Sequence, residues 1–183
     1  NESNMKKSKN IRYDKESKLF TKGHPGNKNI FCTEPNINVL KTSLFPFLAC
    51  DLAYRSEKDF FGKLTLLNSR QPVLHNKLLA SYLSKFDLTK DDKVDFLNRY
   101  GLPTITKDHK VMFHHHFENG LNYTLLECAR LGLPVVHNSE FMPDFGYYYK
   151  RANLTDAAKQ ISKALRHEER TDLEEYQKAS MET

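Results

Sequence analysis

Phe113-His114-His115-His116-Phe117-Glu118-Asn119-Gly120-Leu121-Asn122-Tyr123 runs directly into Thr124-Leu125-Leu126-Glu127-Cys128-Ala129-Arg130-Leu131-Gly132-Leu133-Pro134-Val135-Val136-His137-Asn138-Ser139. The spacing predicts a strand over 110–115, a polar loop, an amphipathic helix over 122–131, a Gly-Pro break and a second buried strand over 133–137. In an open α/β sheet, ligands sit beyond the carboxyl ends of parallel strands, where loops present side chains and helix N-termini present free N–H groups. Glu118, Asn119, Asn122, His137, Asn138 and Ser139 all fall at such ends, which makes them candidate binding residues.

Working outward, the same alternation continues. Asn29 to Cys32 reads as a short buried strand broken by Thr33-Glu34-Pro35-Asn36, and a helix starts at Thr42 or Ser43 with Pro46 tolerated in its first turn. Lys63 to Leu67 is a second strand. Helical patterns follow over 74–86 and 90–99, the latter capped from Thr89, and Tyr147 to Tyr149 adds an edge strand. Helices over 155–167 and 171–178, with Thr155 and Thr171 as caps, complete the pattern. Strands alternating with helices predict an α/β, Rossmann-like domain over 30–183, with a mainly parallel sheet of about four to six strands flanked by helices.

At 183 residues the chain suffices for one domain with a real core. Its net charge of +5 lies entirely in residues 1–29, which hold eight Lys/Arg and three acids; the remainder carries 20 of each sign. That placement argues against a dedicated nucleic-acid-binding body, which keeps its basic excess on the folded surface. Residues 1–29 read as a flexible basic extension or linker. Cys32, Cys50 and Cys128 form no CxxC pair, sit among apolar residues and are expected to be buried, reduced thiols of a cytoplasmic protein. No apolar run approaches the roughly 20 residues of a membrane-spanning helix, so a soluble chain is expected; any association with the inner membrane surface would run through the basic tail. A start at Asn1 fits a fragment, a processed product or a tag remnant.

Five constellations carry chemistry. Lys41, Thr42 and Ser43 stand at a helix start, where unpaired N–H groups and the dipole favour a phosphate; Glu34 or Asn36 then positions donor or acceptor. The plainer alternative is a capped helix beside a solvated lysine. Glu118 with Asn119 and Asn122 suits a sugar or ribose, because a vicinal diol offers paired donors to a carboxylate; otherwise Asn122 is only a helix cap. His137, Asn138 and Ser139 either contact sugar and phosphate or bond their own turn. Among Gly146-Tyr147-Tyr148-Tyr149, strand alternation leaves one tyrosine for stacking on a base or sugar without selecting which; Tyr147 is carried as a candidate. In His114-His115-His116 only His114 and His116 share a side and no Cys or Asp partner stands at ligand spacing, so no metal centre is expected; His116, next to Glu118, is a candidate phosphate contact. GxGxxG, GxxxxGK[ST], HExxH and GxSxG motifs are missing, which lowers dehydrogenase, ATPase, zincin and hydrolase readings together.

Glu118, Gly120-Leu121, Glu127, Ala129, Gly132 and Pro134-Val135-Val136 together resemble the nucleotide-sugar-binding C-terminal half of GT-B-fold glycosyltransferases. There, a Glu after a strand is followed by a Gly-Leu helix start, a second Glu, a small residue, Gly-x-Pro and a Val-Val strand. The usual seven residues between the two acids are eight here, which turns Glu127 by about 100° on its helix. A closer similarity is to a bacterial group of uncharacterised glycosyltransferase-like proteins sharing Glu-Asn-x-Leu-Asn-Tyr, His-Asn-Ser and Gly-Tyr-Tyr-Tyr, over roughly 29–178. The resemblance implies one half of a GT-B fold, with a nucleoside-diphosphate sugar as substrate and no separate cofactor. It implies Glu127 as a ribose ligand, against a plain reading as a solvated helix acid. The acceptor is unknown, a glycan or DNA, and an acceptor-binding N-terminal domain or partner chain is expected. The family's metal-dependent counterparts use an Asp-x-Asp pair that is absent here, so transfer is expected to be metal-independent. Two other readings stay open: a non-catalytic nucleotide-binding or assembly module, and a DNA-modifying sugar transferase tethered by the tail.

Overall fold

A computed structural model of the chain describes residues 28–38, 40–117 and 122–167. The expected basic extension up to 27, the loop residues Glu118 and Asn119 and the helix expected over 171–178 lie outside them.

Six strands form one sheet: β1 (Ile30–Cys32), β2 (Leu64–Leu66), β3 (Val94–Phe96), β4 (Val111–Phe113), β5 (Val135–His137) and β6 (Tyr147–Tyr148). Their spatial order is β3-β2-β1-β4-β5-β6, and every neighbouring pair is parallel. All residues of β1, β2, β4 and β5 are buried. That is the expected state of parallel strands with both faces covered, and it explains why these segments read as apolar runs rather than as alternating patterns. The helices are α1 (Leu44–Ser56), α2 (Arg70–His75), α3 (Lys77–Leu83), α4 (Asp87–Lys90), α5 (Leu102–Ile105), α6 (Tyr123–Arg130) and α7 (Leu154–Leu165). α1 and α7 pack on each other, and α7 also lies against β5 and β6. The chain is thus the α/β, Rossmann-like fold that strand–helix alternation predicts.

Strand order reverses between β1 and β4. From β1 the chain moves outward through β2 to β3, then returns to the far side of β1 and continues through β5 to β6. The loops leaving β1 and β4 therefore diverge and open a crevice at the carboxyl ends, the switch point where open α/β sheets bind ligands.

Several local expectations are corrected. The helix expected over 90–99 is strand β3, in register with β2 through Leu64↔Val94 and Leu66↔Phe96. Thr89, expected as its cap, lies inside α4, and Asp92 at φ 53° ends that turn and starts the strand. The Val94-Asp95-Phe96 segment has its polar middle residue paired to Lys63 at 2.8 Å, as suits an edge strand. The helix expected over 74–86 is split by extended Asn76, whose side chain accepts the Leu79 N–H at 3.0 Å and so caps α3. α7 is capped by Asn153, which accepts the Asp156 N–H, rather than by Thr155. Lys28 and Asn29, read as the end of the extension, are tied into the body: Lys28 Nζ donates to the Leu165 carbonyl at 2.6 Å, and Asn29 bonds Lys63 and Asp108.

Candidate functional site

β1 hands over to α1 through a loop held by two asparagines. Asn36 takes φ 56°, a left-handed conformation that Asn tolerates better than most side chains. Its Nδ2 donates to the carbonyls of Glu34 (3.1 Å) and Leu67 (3.2 Å), while its Oδ1 accepts both the N–H and the hydroxyl of Ser43 at 2.8 Å. Asn68, at φ 57° just beyond β2, donates to the carbonyls of Thr33 and Glu34 at 3.2 Å. The Glu34 carbonyl is therefore gripped from two sides, which fixes the backbone from which its carboxyl projects. That carboxyl is 4 % exposed and lies 2.7 Å from Nδ1 of His114, the first residue beyond β4.

A pocket of about 240 Å³ opens at this place. Glu34, Leu40 and Lys41 line it from the β1–α1 connection; His114, His116, Phe117 and Asn122 line it from the β4–α6 connection. These are the two loops that diverge at the switch point. Lys41 supplies an exposed cation at the mouth, and the floor holds a buried carboxyl against buried imidazole.

Four of the sequence-derived candidates, Glu34, Lys41, His116 and Asn122, thus meet in one pocket. Asn122 does double service: its Oδ1 accepts the Thr124 N–H at 2.8 Å, capping α6, while the residue also lines the pocket. Thr42 and Ser43 stand at the α1 start as expected, but their polar groups are engaged. Thr42 Oγ1 accepts the Leu44 N–H and Ser43 is bonded to Asn36. Asn36 is saturated within the fold.

His137, Asn138 and Ser139 follow β5, all buried. His137 Nε2 donates to the Phe145 carbonyl at 2.7 Å and its Nδ1 accepts the Ser139 N–H at 3.2 Å, so the ring is a fixed neutral tautomer. Burial pushes its pKa down to about 4. Asn138 accepts the His116 N–H at 3.1 Å and donates to the His116 carbonyl at 2.8 Å, splicing the ends of β4 and β5 together. The three residues brace the pocket wall from behind and do not line it. Glu127 is exposed on α6, away from the pocket lining. Tyr147 lies on the edge strand with its hydroxyl 2.9 Å from His167 Nδ1, and does not line the pocket either. Tyr149 is core: its hydroxyl meets His115 Nδ1 at 2.6 Å, and Phe45 stacks on the His115 ring at 3.9 Å. In that aromatic sandwich the His115 pKa falls to about 3, through burial first and then through His116 and His114.

His114 is the polar pocket residue that the sequence reading passed over, beside the apolar lining residues Leu40 and Phe117. Its signal was available, because alternation along the strand places it on the same side as His116, and the two rings lie 5.6 Å apart. Asn68 was also missed; only the pairing of β2 beside β1 brings it to Glu34. The three cysteines are buried and unpaired, and burial raises their thiols above the usual range, which disfavours a thiolate nucleophile. Among the described residues no three His, Cys, Asp or Glu side chains group to hold a metal ion.

A family model described as "Protein of unknown function (DUF2827)" matches residues 6–183. No curated protein matches the sequence. Among solved structures, the chain is similar to TarM, with TM-score 0.66 at 15% identity over 86% of this chain and 32% of that one. It is similar to the pneumococcal O-GlcNAc transferase GtfA in complex with UDP and GlcNAc, with TM-score 0.61 at 14% identity over 87% of this chain and 33% of that one. A glycosyltransferase from Rickettsia africae gives TM-score 0.64 at 12% identity, over 86% and 43%. Identity this low establishes a shared fold. The chain spans about a third of the length of TarM and GtfA.

Proposed function

The chain belongs to the DUF2827 family, and we propose that it is the donor-binding half of a glycosyltransferase that moves a sugar from a nucleoside-diphosphate sugar to an acceptor hydroxyl without a metal ion. The observation that carries this reading is the place of the pocket: at the reversal of strand order, between the ends of β1 and β4, in a fold shared with glycosyltransferases. GtfA, one of those structures, holds UDP and GlcNAc.

In this reading Lys41 meets the diphosphate at the pocket mouth, and the α6 start at Asn122 adds backbone N–H groups and the positive end of a helix. Glu34 and Asn122 accept from sugar or ribose hydroxyls, and the loop residues Glu118 and Asn119 extend that set. Asn36, Thr42, Ser43, His137, Asn138 and Ser139 hold the pocket walls in register. The anomeric C–O bond breaks with its electron pair leaving on the diphosphate, whose growing charge Lys41 offsets. The acceptor oxygen forms the new bond and gives its proton to a base. That base, with the acceptor site, belongs to a facing acceptor-binding half, a further domain or a partner chain, and the acceptor is a glycan. No helix among the described residues is long and apolar enough to cross a membrane; cytoplasmic action on a nucleotide-activated donor fits that.

A thermal-shift panel of uridine, thymidine, guanosine and adenosine diphosphate sugars tests the reading. A donor present at about 100 times its Kd adds about 2.7 kcal/mol to stability. A folded protein that no member of the panel stabilises at millimolar concentration rules the proposal out.

A further inference from the structure

We infer that His114, oriented by Glu34, receives the anionic end of the ligand, and that phosphate enters this pocket together with a proton. The inference rests on the donor-binding reading and deepens it.

The pocket poses an electrostatic problem for a phosphate. Its floor carries the Glu34 carboxyl, 4 % exposed, and one lysine at the mouth balances that charge without leaving an excess for a diphosphate. A bare carboxylate beside phosphate oxygens repels them. His114 stands where that repulsion is relieved. It lines the pocket, is 1 % exposed, and lies with Nδ1 2.7 Å from Glu34 Oε1. An ionised carboxylate only accepts, so the proton between them sits on Nδ1. Neither ring nitrogen makes a hydrogen bond of normal geometry, and Nε2 has no polar partner among the described residues. A buried nitrogen left in that state has capacity for a ligand oxygen. A second proton on Nε2 converts the imidazole to a cation held by Glu34 on one side and by a phosphate oxygen on the other.

The other charged and titratable groups around His114 do not take this part. His115 and His137 are locked to Tyr149 and to backbone, and burial pushes them down to about 3 and about 4. Burial and His114 itself lower His116, which Glu34 and Glu140 favour in the opposite sense. Lys41 is an exposed side chain at the pocket mouth. His114 has the Glu34 carboxylate at 2.7 Å to hold the added charge.

The test is calorimetry of inorganic diphosphate and of UDP binding to the full chain near pH 7, in two buffers of different ionisation enthalpy, for wild type, H114Q and E34Q. Comparing variants with the same ligand cancels the ligand's own ionisation. Wild type is expected to take up a fraction of a proton more than H114Q. Its affinity should rise as pH falls from about 8 to about 6, by at most about tenfold per pH unit for one whole proton. H114Q is expected to bind at least about tenfold more weakly at pH 6 and to lose the pH slope, a loss of about 1.4 kcal/mol. E34Q is expected to lose the uptake while still binding, since it removes a repelling charge. Binding of UDP with equal proton uptake in wild type and H114Q overturns this inference and leaves the donor-binding reading standing. Failure of wild type to bind either ligand overturns both.

Discussion

Replacing Asn36 probes how the pocket floor is held. The side chain makes four hydrogen bonds, two donated to the carbonyls of Glu34 and Leu67 and two accepted from Ser43. At about 1 kcal/mol each, and with the amide only partly buried so that water recovers some of the loss, N36G is expected to destabilise by about 2–3 kcal/mol. N36A removes the same bonds and keeps a Cβ in the left-handed region at φ 56°, where Ala lacks the tolerance of Asn and Gly is unstrained, a cost relative to N36G of about 1–2 kcal/mol. Gly loses about 0.4–1 kcal/mol through its freer unfolded chain. N36A should therefore end below N36G by roughly 1 kcal/mol, the net of those two terms. Urea unfolding with an unchanged m-value gives both numbers. Because the Glu34 carbonyl loses one of its two amide clamps, nucleotide-induced stabilisation should weaken in both variants. An N36A protein within about 0.5 kcal/mol of wild type, the range of an ordinary surface change, refutes the reasoning, and so does one more stable than N36G.

Glycine substitutions should separate backbone strain from collision. G132A at φ 66° meets nothing within 4 Å and should cost about 1–2 kcal/mol, whereas G146A at φ 65° sets its Cβ 2.7 Å from the Val135 carbonyl oxygen and should cost about 1–3 kcal/mol more, compared by urea midpoints. Stability should fall between pH 7 and 5. His115 and His137 have folded pKa values of about 3 and about 4, below the ordinary 6.5. The unfolded chain therefore binds more protons throughout this window, and stability present above pH 6.5 drains away on acidification by about 2 kcal/mol per histidine. A flat urea midpoint over that interval contradicts the burial of these rings. K41A removes an exposed cation and should leave unliganded stability within about 0.5 kcal/mol, while a nucleotide-sugar titration followed by thermal shift should show affinity reduced by about tenfold or more, as expected for a lost charge-assisted phosphate contact.

Much of this architecture was legible in the chain. Buried parallel strands announce themselves as short apolar runs, so Ile30–Cys32, Leu64–Leu66, Val111–Phe113 and Val135–His137 were found, together with α1, α6 and α7. The polar residues that follow them were placed at the correct end of the sheet. Val94–Phe96 escaped, because a three-residue edge strand flanked by Asp91, Asp92 and Lys93 lacks a decisive period, and its pairing with β2 supplies what local propensity does not. Asn76 and Asn153 were overlooked as caps for a related reason: several Ser, Thr and Asn side chains compete near each helix start, and packing selects among them.

The candidate site divides along the same line. That the carboxyl ends of the strands carry the polar groups follows from sequence order alone, since each strand–loop–helix unit repeats the same direction. Which of those groups share a pocket depends on strand order in space: β1 lies beside β4 although Ile30 and Val111, which pair across them, are 81 positions apart in sequence, and that pairing is what sets Glu34 against His114. Asn36 and Ser43 bond each other within the β1–α1 loop, His137 bonds the loop that follows it, and the pairing of β4 with β5 makes Asn138 a brace, because a polar side chain withdrawn from water takes the partner the fold brings within about 3 Å. Residue types determined the kind of chemistry on offer, and the long-range pairing of the sheet decided which residues can perform it together.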